Sequence, residues 1–380
     1  MLRELPLSLY IHFPWCVRKC PYCDFNSHTL RTELPEKTYI NALLEDLEQH
    51  LSKILYRPII SIFMGGGTPS LFSPSAIKCL LDELKKRLNF SDDIEITLEV
   101  NPGTVEYQRF QAYRIAGVNR LSIGVQSFQD HQLKVLGRIH GSEEASNAVV
   151  AAKAAGFENI NIDLMHGLPG QSLQEGLEDL NKTFKLTPSH ISWYQLTIEP
   201  NTEFAVKPPK LPLDDKIWQL QERGKQLLLI NAYRQYEISA YSKEAFICVH
   251  NRNYWEFGDY LGIGAGAHSK LTDEKEQTVI RTWKHKNPKD YLEKKDNFIG
   301  GKKSISDKEL AFEFMLNAFR LYYPIPIELF EQRTGLSIAM VKKPFIEAEK
   351  LGLFVVRKNS MYLTNRGKRF YNDLVALFLS

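Results

Sequence analysis

The first two hundred residues alternate short, nearly continuous apolar runs with longer segments of helical periodicity, and this alternation constrains the fold most. Such apolar runs are typical of parallel strands covered on both faces. The predicted strands are Leu7–Phe13, Ile59–Met64, Ile94–Val100, Arg120–Val125, Asn159–Met165 and His190–Thr197. The predicted helices are Glu36–Leu51, Ser75–Leu88, Val105–Ile115, Glu143–Ala155 and Ser172–Phe184. Six such units predict an α/β fold, either an open partial barrel or a doubly wound sheet, with polar strand ends on one rim.

The pattern changes beyond residue 200, and a chain of 380 residues has room for more than one unit. A turn-rich break precedes a predicted helix at Leu213–Ala232, and the charged, glycine-containing segment Lys294–Lys303 is predicted to be a linker or an exposed loop. Helical patterns and a small hairpin follow. We therefore predict three parts, which are a barrel at 1–235, a connecting segment at 236–300 and a winged-helix-like α+β domain at 301–380.

Composition and charge exclude several classes of protein. Lysine and arginine total 48 and aspartate and glutamate 45, so the net charge of +3 is far below the basic excess of a dedicated nucleic-acid binder. No apolar stretch approaches the ~20 residues that span a bilayer. Pro6, His12 and Pro14 interrupt the apolar N-terminal stretch, which argues against a signal peptide. Five unevenly spaced cysteines suit a reducing compartment, and we predict a cytoplasmic protein.

Three cysteines form the strongest chemical signal. Cys16, Cys20 and Cys23 follow the first predicted strand with C-x3-C-x2-C spacing, and three thiolates in one loop can hold three corners of a [4Fe–4S] cluster. The fourth iron would then have no protein ligand. A structural zinc ion is the alternative, since zinc usually takes four ligands and Asp24 or His28 could supply the fourth.

A glycine-rich segment, Gly65-Gly-Gly-Thr-Pro69, ends the second predicted strand. Because glycines lack side chains, their backbone amides and carbonyls can approach a ligand closely, although a tight turn is an equally simple interpretation. Tyr10 and Tyr22 flank the cysteine loop, where they could pack against a ligand or a cluster. A place in the protein core suits Tyr10 nearly as well.

Four further polar residues recur near the carboxyl ends of later predicted strands. Glu99, Gln126 and Asp163 lie in or just after strands, and Arg138 follows a helix-like segment. Each alone is more often a solvated surface residue. Together they describe one rim facing one ligand, because the carboxyl ends of barrel strands meet at one face. Carboxylates suit hydroxyl and ammonium groups, while the amide and the guanidinium suit further polar atoms.

These motifs together resemble the radical S-adenosylmethionine (SAM) superfamily, in its oxygen-independent coproporphyrinogen III oxidase branch. The resemblance covers nearly the whole chain and rests on YIHFPWCVRKCPYCDF, GGGTPS, LEVNP, GVQSF and NIDLMHGLPGQ. It implies a partial (β/α)6 radical-SAM barrel with a C-terminal winged-helix-like domain, and a [4Fe–4S] cluster whose unligated iron binds SAM. The residues that it implies as SAM contacts are Tyr10, Tyr22, Gly66, Gly67, Thr68, Glu99, Gln126, Arg138 and Asp163.

Two departures from the oxidases distinguish the branches of this family. The oxidases carry another cysteine two residues after the third, where this chain has Phe25. They also have a longer segment before the cysteines, whereas fifteen residues precede Cys16 here. In both respects the chain resembles the heme chaperones of the HemW type.

A second motif supports the same branch. The segment His250-Asn-Arg-Asn-Tyr-Trp255 matches the HNxxYW motif of these chaperones. Histidine is a common axial ligand of heme iron, so the resemblance implies that His250 binds heme. From residue type alone a structural histidine is the simpler interpretation, and Cys248 is a rival ligand or a small buried residue.

The resemblance implies a chaperone that binds heme, a [4Fe–4S] cluster and SAM and transfers heme to an acceptor apo-hemoprotein. The alternative is an enzyme, the oxygen-independent oxidase that decarboxylates coproporphyrinogen III with a radical derived from SAM. We expect no nucleic-acid partner. Transient contact with membrane-associated acceptors and a homodimer are further expectations for a chaperone of this kind.

Overall fold

A computed structural model describes residues 5–54, 56–104, 107–294 and 296–379. Within these ranges the main feature is a twelve-stranded sheet. The strands of the first half of the chain are β1 (Leu7–Phe13), β2 (Trp15–Cys16), β3 (His28–Thr29), β4 (Ile59–Gly66), β5 (Phe90–Val100), β6 (Arg120–Gln126), β7 (Asn159–His166) and β8 (His190–Gln195). β1 and β4 to β8 are parallel neighbours in this order, which confirms the six predicted strands and the partial barrel.

The helices between these strands confirm the predicted β-α alternation. They are α1 (Glu36–Glu48), α2 (Leu51–Ile54), α3 (Pro74–Arg87), α4 (Tyr107–Ile115), α5 (Asp130–Val135), α6 (Ser142–Ala154), α7 (Leu173–Leu186) and α8 (Glu203–Val206). Residues 105 and 106 of the predicted third helix lie outside the described residues. Ser73 accepts a hydrogen bond from the Ala76 N–H, and Pro74 is the first residue of α3, as expected for a capped helix start.

Alternation along β1 shows how the barrel separates apolar from polar side chains. Leu9, Ile11 and Phe13 belong to the main apolar core, which β1 shares with the surrounding helices. Tyr10 and His12 point to the opposite, inner face, because successive side chains of a strand alternate. The inner face therefore presents the polar side chains that could bind a ligand.

The next part of the chain extends the sheet on both sides of the barrel. Its strands are β9 (Arg234–Gln235), β10 (Ala240–Ser242), β11 (Asp259–Ile263), β12 (His268–Asp273), β13 (Thr278–Lys284) and β14 (Ile299–Ser304), and its helices are α9 (Asp214–Ile230), α10 (Val249–Trp255) and α11 (Pro288–Glu293). β10 and β9 follow β8 with antiparallel pairing. β11 pairs in parallel with β1, and β12 to β14 continue outward as an antiparallel extension. The segment 236–300 thus contributes strands to the main sheet.

The segment Lys294–Lys303 differs from the prediction of a linker or an exposed loop. From Ile299 onward it forms β14, which pairs with β13 at the edge of the sheet. A Cβ atom on Gly301 would lie 2.1 Å from the ring of Trp283, so the glycine is needed there for packing rather than for flexibility. Lysines on an edge strand discourage pairing with other chains, which explains the loop-like composition.

The C-terminal part contains the predicted helices and small hairpin of a winged-helix-like module. Its elements are α12 (Asp307–Ala318), β15 (Ile325–Pro326), α13 (Ile327–Thr334), α14 (Lys342–Lys350), β16 (Phe354–Arg357), β17 (Ser360–Leu363), α15 (Asn365–Arg369) and α16 (Tyr371–Ala376). Phe257 and Val279 of the preceding segment pack into the apolar core of this C-terminal part. The predicted domain boundaries at 235 and 300 stay predictions. Among the helices of the described ranges, none combines the length and the apolar character needed to cross a membrane.

Candidate functional site

Three cysteine thiols line one cavity at the carboxyl ends of the parallel strands. Cys16 ends β2, and Cys20 and Cys23 lie in the loop after it, where the Cys23 N–H donates to the Cys20 carbonyl at 3.1 Å. Each sulfur has a polar neighbour: Thr68 Oγ1 donates to Cys16 at 3.3 Å, Arg138 Nη1 to Cys20 at 3.7 Å, and Ser27 Oγ lies 3.6 Å from Cys23. Such neighbours orient metal-binding groups and tune their basicity.

The electrostatics of the loop bear on what it can bind. Burial raises the pKa of Cys16 to about 11 and also raises the pKa of Cys23, so metal binding would displace protons from these thiols. Over the described ranges, no His, Asp or Glu side chain joins these thiols in a group arranged around a single metal ion. Asp24 is exposed, and His28 Nε2 lies 3.2 Å from Asn26 Oδ1. The donor set is thus three soft sulfurs without an oriented fourth ligand, which suits a cluster better than zinc.

The glycine segment at the end of β4 packs directly against the cysteine strand. The Gly67 N–H donates to the Phe13 carbonyl at 2.7 Å, and a Cβ atom on Gly67 would lie 2.6 Å from the Trp15 carbonyl oxygen. Gly66 has φ of +109°, and its N–H donates to Glu99 Oε2 at 3.1 Å. The close approach of this segment to the cysteine strand therefore requires glycine at these positions. A tight turn alone would not require it.

Gln126 reaches the cavity through a backbone irregularity. It has φ of +69°, and the pairing of β6 with β7 shifts register between Ile123 and Gln126. Tyr194 on β8 donates from its hydroxyl to Gln126 Oε1 at 2.7 Å, which fixes the amide. A non-glycine residue with positive φ costs free energy, and such strain clusters at functional sites.

Two half-buried carboxyl groups, Glu99 and Asp163, face the cavity. Asp163 accepts hydrogen bonds from Ser122 Oγ at 3.1 Å and from Asn161 Nδ2 at 2.8 Å. Burial, and then the nearby Asp163, raise the pKa of Glu99 to about 7, and burial raises the pKa of Asp163. A positive charge beside these two carboxyl groups would stabilise the ionised form of both, so the pair suits a cationic ligand.

The cavity has a volume of about 430 Å³ and brings together most of the predicted residues. They are Cys16, Cys20, Tyr22, Cys23, Gly66, Gly67, Thr68, Glu99, Gln126, Arg138 and Asp163. Sequence reasoning missed Ser122 and Tyr194, which line the same cavity from β6 and β8. Extending the alternation of each predicted strand inward would have found both. Arg138 Nε is buried without a hydrogen-bond partner within the described part of the chain, so the wall has polar capacity left for a ligand.

Two predicted residues, Tyr10 and His250, do not line this cavity. The Tyr10 hydroxyl forms a hydrogen bond of 2.9 Å with His12 Nδ1, and its ring stacks on Phe63. His250 lies on α10 with its ring 5.0 Å from the ring of Phe63, and its Nδ1 is 3.1 Å from Ser61 Oγ. Burial lowers the pKa of His250 to about 3, so the ring is a neutral, enclosed imidazole.

The neighbouring Cys248 is also engaged inside the barrel. Its Sγ donates to Glu95 Oε1 at 3.4 Å, and the same carboxylate accepts from the backbone N–H groups of Val249 and His250 at the start of α10. Asn253, from the same motif, donates to Ser8 Oγ at 2.9 Å. The HNxxYW motif therefore attaches α10 to the inner strands, and a macrocycle could reach His250 only if this helix moved.

A partial parallel barrel with a three-cysteine loop after its first strand and a cavity at its strand ends defines a protein of the radical-SAM class. In agreement, residues 10–182 match the Radical SAM superfamily and residues 305–370 match the HemN C-terminal domain. The chain is 52% identical to heme chaperone HemW of Haemophilus influenzae over 99% of its own length and 98% of the relative, and 48% identical to heme chaperone HemW of Escherichia coli over 100% of both. The chain belongs to the HemW family.

A solved structure supports the fold independently. Coproporphyrinogen III oxidase (HemN) from Escherichia coli superimposes with a TM-score of 0.84 over 99% of this chain and 91% of that chain. The two sequences are 23% identical, so this likeness concerns the fold alone. A more distant family relative, heme chaperone HemW of Bacillus subtilis, is 32% identical over 98% of this chain and 99% of the relative.

Proposed function

We propose that this chain is a heme chaperone that binds heme, a [4Fe–4S] cluster and SAM and delivers heme to an acceptor apo-hemoprotein. The observation that carries the proposal is the near-complete alignment with heme chaperones at 52% and 48% identity. Phe25 supports it further, because this side chain lines the cavity and is 57% exposed at the position where the oxidases carry a cysteine. The cytoplasm is the proposed compartment.

The cluster and SAM belong in the strand-end cavity. Cys16, Cys20 and Cys23 would ligate the cluster, which when bound supplies an iron with an open coordination position and electrons for SAM. The residues proposed to bind SAM are Tyr22, Gly66, Gly67, Thr68, Glu99, Gln126, Arg138 and Asp163. Tyr10 lies outside the cavity lining, although burial, and then the nearby Glu99, raise its pKa.

The affinity for SAM is expected to rise with pH. Glu99 has a pKa of about 7 in the free protein, so part of it must lose a proton before it can attract the ammonium or sulfonium group of SAM. Deprotonation completes above that pKa, and one coupled proton gives an affinity increase of about tenfold between pH 6 and pH 8. Calorimetric titration of the reconstituted protein with SAM across this range measures the slope.

The matched control is Glu99→Gln, which keeps the shape but cannot titrate. Its SAM affinity should be lower at pH 8, and its pH dependence should be flatter than that of the wild type. The difference between the two slopes separates Glu99 from the amino group of SAM, which titrates in both proteins. Parallel slopes would remove Glu99 from the binding site.

The heme part of the proposal concerns a separate region. The motif assignment of His250 as an axial ligand stays a prediction, and its burial on α10 means that heme binding there would require the helix to move. We also propose an acceptor apo-hemoprotein, transient contact with membrane-associated acceptors and a homodimer, all by analogy with a chaperone role.

Heme transfer gives the test of function. The heme-loaded chain is mixed with increasing amounts of an apo b-type cytochrome, and the rate at which the cytochrome spectrum appears is followed. Direct transfer predicts a rate that rises with acceptor concentration, whereas simple release of heme gives a constant rate. Incubation with coproporphyrinogen III, SAM and reductant should yield no protoporphyrinogen, and its formation at catalytic turnover would establish the oxidase instead.

A further inference from the structure

A chain of buried polar side chains begins at Asp163 and runs into the barrel beneath the cavity. Asn161 on β7 donates from Nδ2 to Asp163 Oδ1 at 2.8 Å, and its Oδ1 lies 2.6 Å from His190 Nδ1 on β8. His190 Nε2 lies 2.8 Å from the hydroxyl of Tyr236. Asn161, His190 and Tyr236 are buried, and none of the three lines the cavity. They can therefore affect a ligand there only through the residues that they hold.

One pattern of donors satisfies the whole chain. The ionised carboxylate of Asp163 only accepts, so the amide nitrogen of Asn161 faces it and the amide oxygen faces His190. An amide oxygen also only accepts, so His190 carries its proton on Nδ1, and its bare Nε2 accepts from the Tyr236 hydroxyl. Burial, and then the charge of Arg120, hold the pKa of His190 well below its ordinary value. The imidazole is therefore neutral and has one proton to place.

The C-terminal part of the protein fixes the far end of this chain. The Tyr236 carbonyl accepts from the Tyr322 N–H at 2.9 Å, and the next residue, Glu237, forms an ion pair of 3.1 Å with Arg320. The Tyr236 ring packs edge-on against His190, with centroids 5.5 Å apart. The hydroxyl therefore has a fixed position, from which it selects the tautomer of His190.

The charges around Asp163 explain why its carboxylate needs support. Glu99 on β5 faces the same cavity, and each of the two carboxyl groups makes ionisation of the other less favourable. Arg120 on β6 favours the ionised form of Asp163, and Tyr194 on β8 stays neutral because burial raises its pKa. Burial raises the pKa of Asp163, whereas the hydrogen bond from Asn161 acts in the opposite direction.

We propose that Asn161, His190 and Tyr236 are positioning residues of the SAM site, which hold the carboxylate of Asp163 toward the cavity as an acceptor for the donor groups of SAM. The inference rests on the proposed function, because it names the groups that prepare Asp163 for SAM. Asn161 supplies the N–H that an ionised carboxylate needs, His190 fixes the direction of that amide, and Tyr236 fixes the tautomer of His190.

Calorimetric titration of the reconstituted full chain with SAM at several pH values tests the proposal. Asn161→Leu removes the N–H, so Asp163 ionises less readily and the affinity for SAM should fall about tenfold near pH 6. The loss should shrink as the pH rises, because Asp163 then ionises without its donor. Glu99 and the amino group of SAM titrate in both proteins, so the ratio of the two affinities reports on Asp163. A loss that is the same at every pH would overturn the proposal.

Substitutions of His190 keep the test informative if Asn161→Leu fails to fold. His190→Leu leaves the Asn161 oxygen with only its hydrogen bond of 3.1 Å from Ser192. A several-fold loss of affinity, again larger at low pH, is the expected result. His190→Asn places an amide N–H near the former Nδ1 and should restore most of the affinity. Equal losses in the two His190 variants would overturn the orienting role of this residue.

Tyr236→Phe and Tyr233→Phe form a matched pair. Each removes one hydroxyl from a buried tyrosine of the same segment, but the Tyr233 hydroxyl donates to the Pro188 carbonyl at 2.6 Å rather than to His190. Tyr236→Phe should bind SAM a few-fold more weakly, and Tyr233→Phe should bind it as the wild type does. Equal affinities in this pair would overturn the part assigned to Tyr236.

Nitrogen NMR of the chain with isotopically labelled histidines gives a readout that does not depend on SAM. The protonated and bare nitrogens of a neutral imidazole have well-separated resonances, and His190→Asn identifies the signals of His190. The wild type should carry the proton on Nδ1, and a proton on Nε2 would overturn the proposal even if SAM binds. A wild-type chain that binds no SAM would overturn the proposed function instead, and the tautomer would still be measured.

Discussion

Replacing any one of Cys16, Cys20 and Cys23 by alanine is expected to reduce the iron and sulfide bound after anaerobic reconstitution to near background. Three protein thiolates and one open iron leave no spare ligand, so loss of one sulfur leaves the cluster held at two corners. The thiols line one cavity, and each has a polar neighbour that a substitute ligand would not reproduce. Analysis of iron and sulfide, together with the visible charge-transfer absorbance of the cluster, measures the loss.

The remaining two cysteines provide the controls for this experiment. Cys79 is exposed on α3 and Cys248 is buried beside Glu95, so Cys79→Ala and Cys248→Ala should keep full iron and sulfide. If Cys79→Ala loses the cluster, the three-ligand arrangement is wrong. Zinc at one equivalent that disappears in Asp24→Ala or His28→Ala would identify a four-ligand zinc site instead.

The barrel could be predicted because its signal is local. Strands such as β1 and β7 are short apolar runs between helices with recognisable ends, and Ser73 with Pro74 begins α3 as a capping residue and a first-turn proline should. Each of these signals lies within about fifteen residues of sequence. Parallel β-α units then leave few topologies, because their crossovers share one hand.

The part of the extension from β11 to β14 could not be predicted because its signal is not local. β11 reads as a glycine-rich stretch, yet it pairs with β1, and a Cβ atom on Gly264 would lie 2.4 Å from the His12 carbonyl oxygen. The small residues serve contacts with a strand about 250 residues earlier, which composition alone does not reveal. β14 was likewise hidden by its glycines and lysines.

The residues of the candidate site likewise fall into those that local patterns predict and those that depend on long-range contacts. Residues at strand ends, such as Glu99 and Asp163, were predictable because parallel strands bring their ends together. Alternation along β8 is a local pattern that places Tyr194 on the inner face, but its hydrogen bond to Gln126 depends on the strained backbone of Gln126, which no local pattern indicates. The HNxxYW motif gave no sign that His250 faces the inner strands, since the direction of α10 is set by long-range bonds to Glu95 and Ser8.

Alanine substitutions in the glycine segment are expected to weaken the response of the site to SAM. The loss should be larger where the new methyl group comes closer to backbone atoms. The Cβ atom of Gly67→Ala would lie 2.6 Å from the Trp15 carbonyl and 2.7 Å from the Phe13 carbonyl, both of them backbone atoms that cannot rotate away. The turn and the cysteine strand must then separate, which breaks the Thr68 contact to Cys16. We expect SAM affinity to fall more than tenfold and cluster loading to drop.

Gly65→Ala provides an intermediate step in the series. Its Cβ atom would meet the side-chain atoms of Glu99 and Phe63 at 3.0 Å, and side chains can move by a few tenths of an ångström. A several-fold loss of SAM affinity with normal cluster loading is the expected result. This variant keeps the test informative if Gly67→Ala fails to fold.

Gly141→Ala, before α6, supplies the matched control. Its nearest neighbour, Asp130 Oδ1, would be 3.4 Å from the new methyl group, and its φ of −99° suits any residue. Calorimetry with SAM, together with paramagnetic resonance of the reduced cluster with and without SAM, should therefore rank the loss as Gly67→Ala, then Gly65→Ala, then none for Gly141→Ala. The contacts with Trp15 and Phe13 leave no undistorted position for the methyl group of Gly67→Ala. If the reconstituted Gly67→Ala protein nevertheless responds to SAM as the wild type does, this backbone does not form the SAM site.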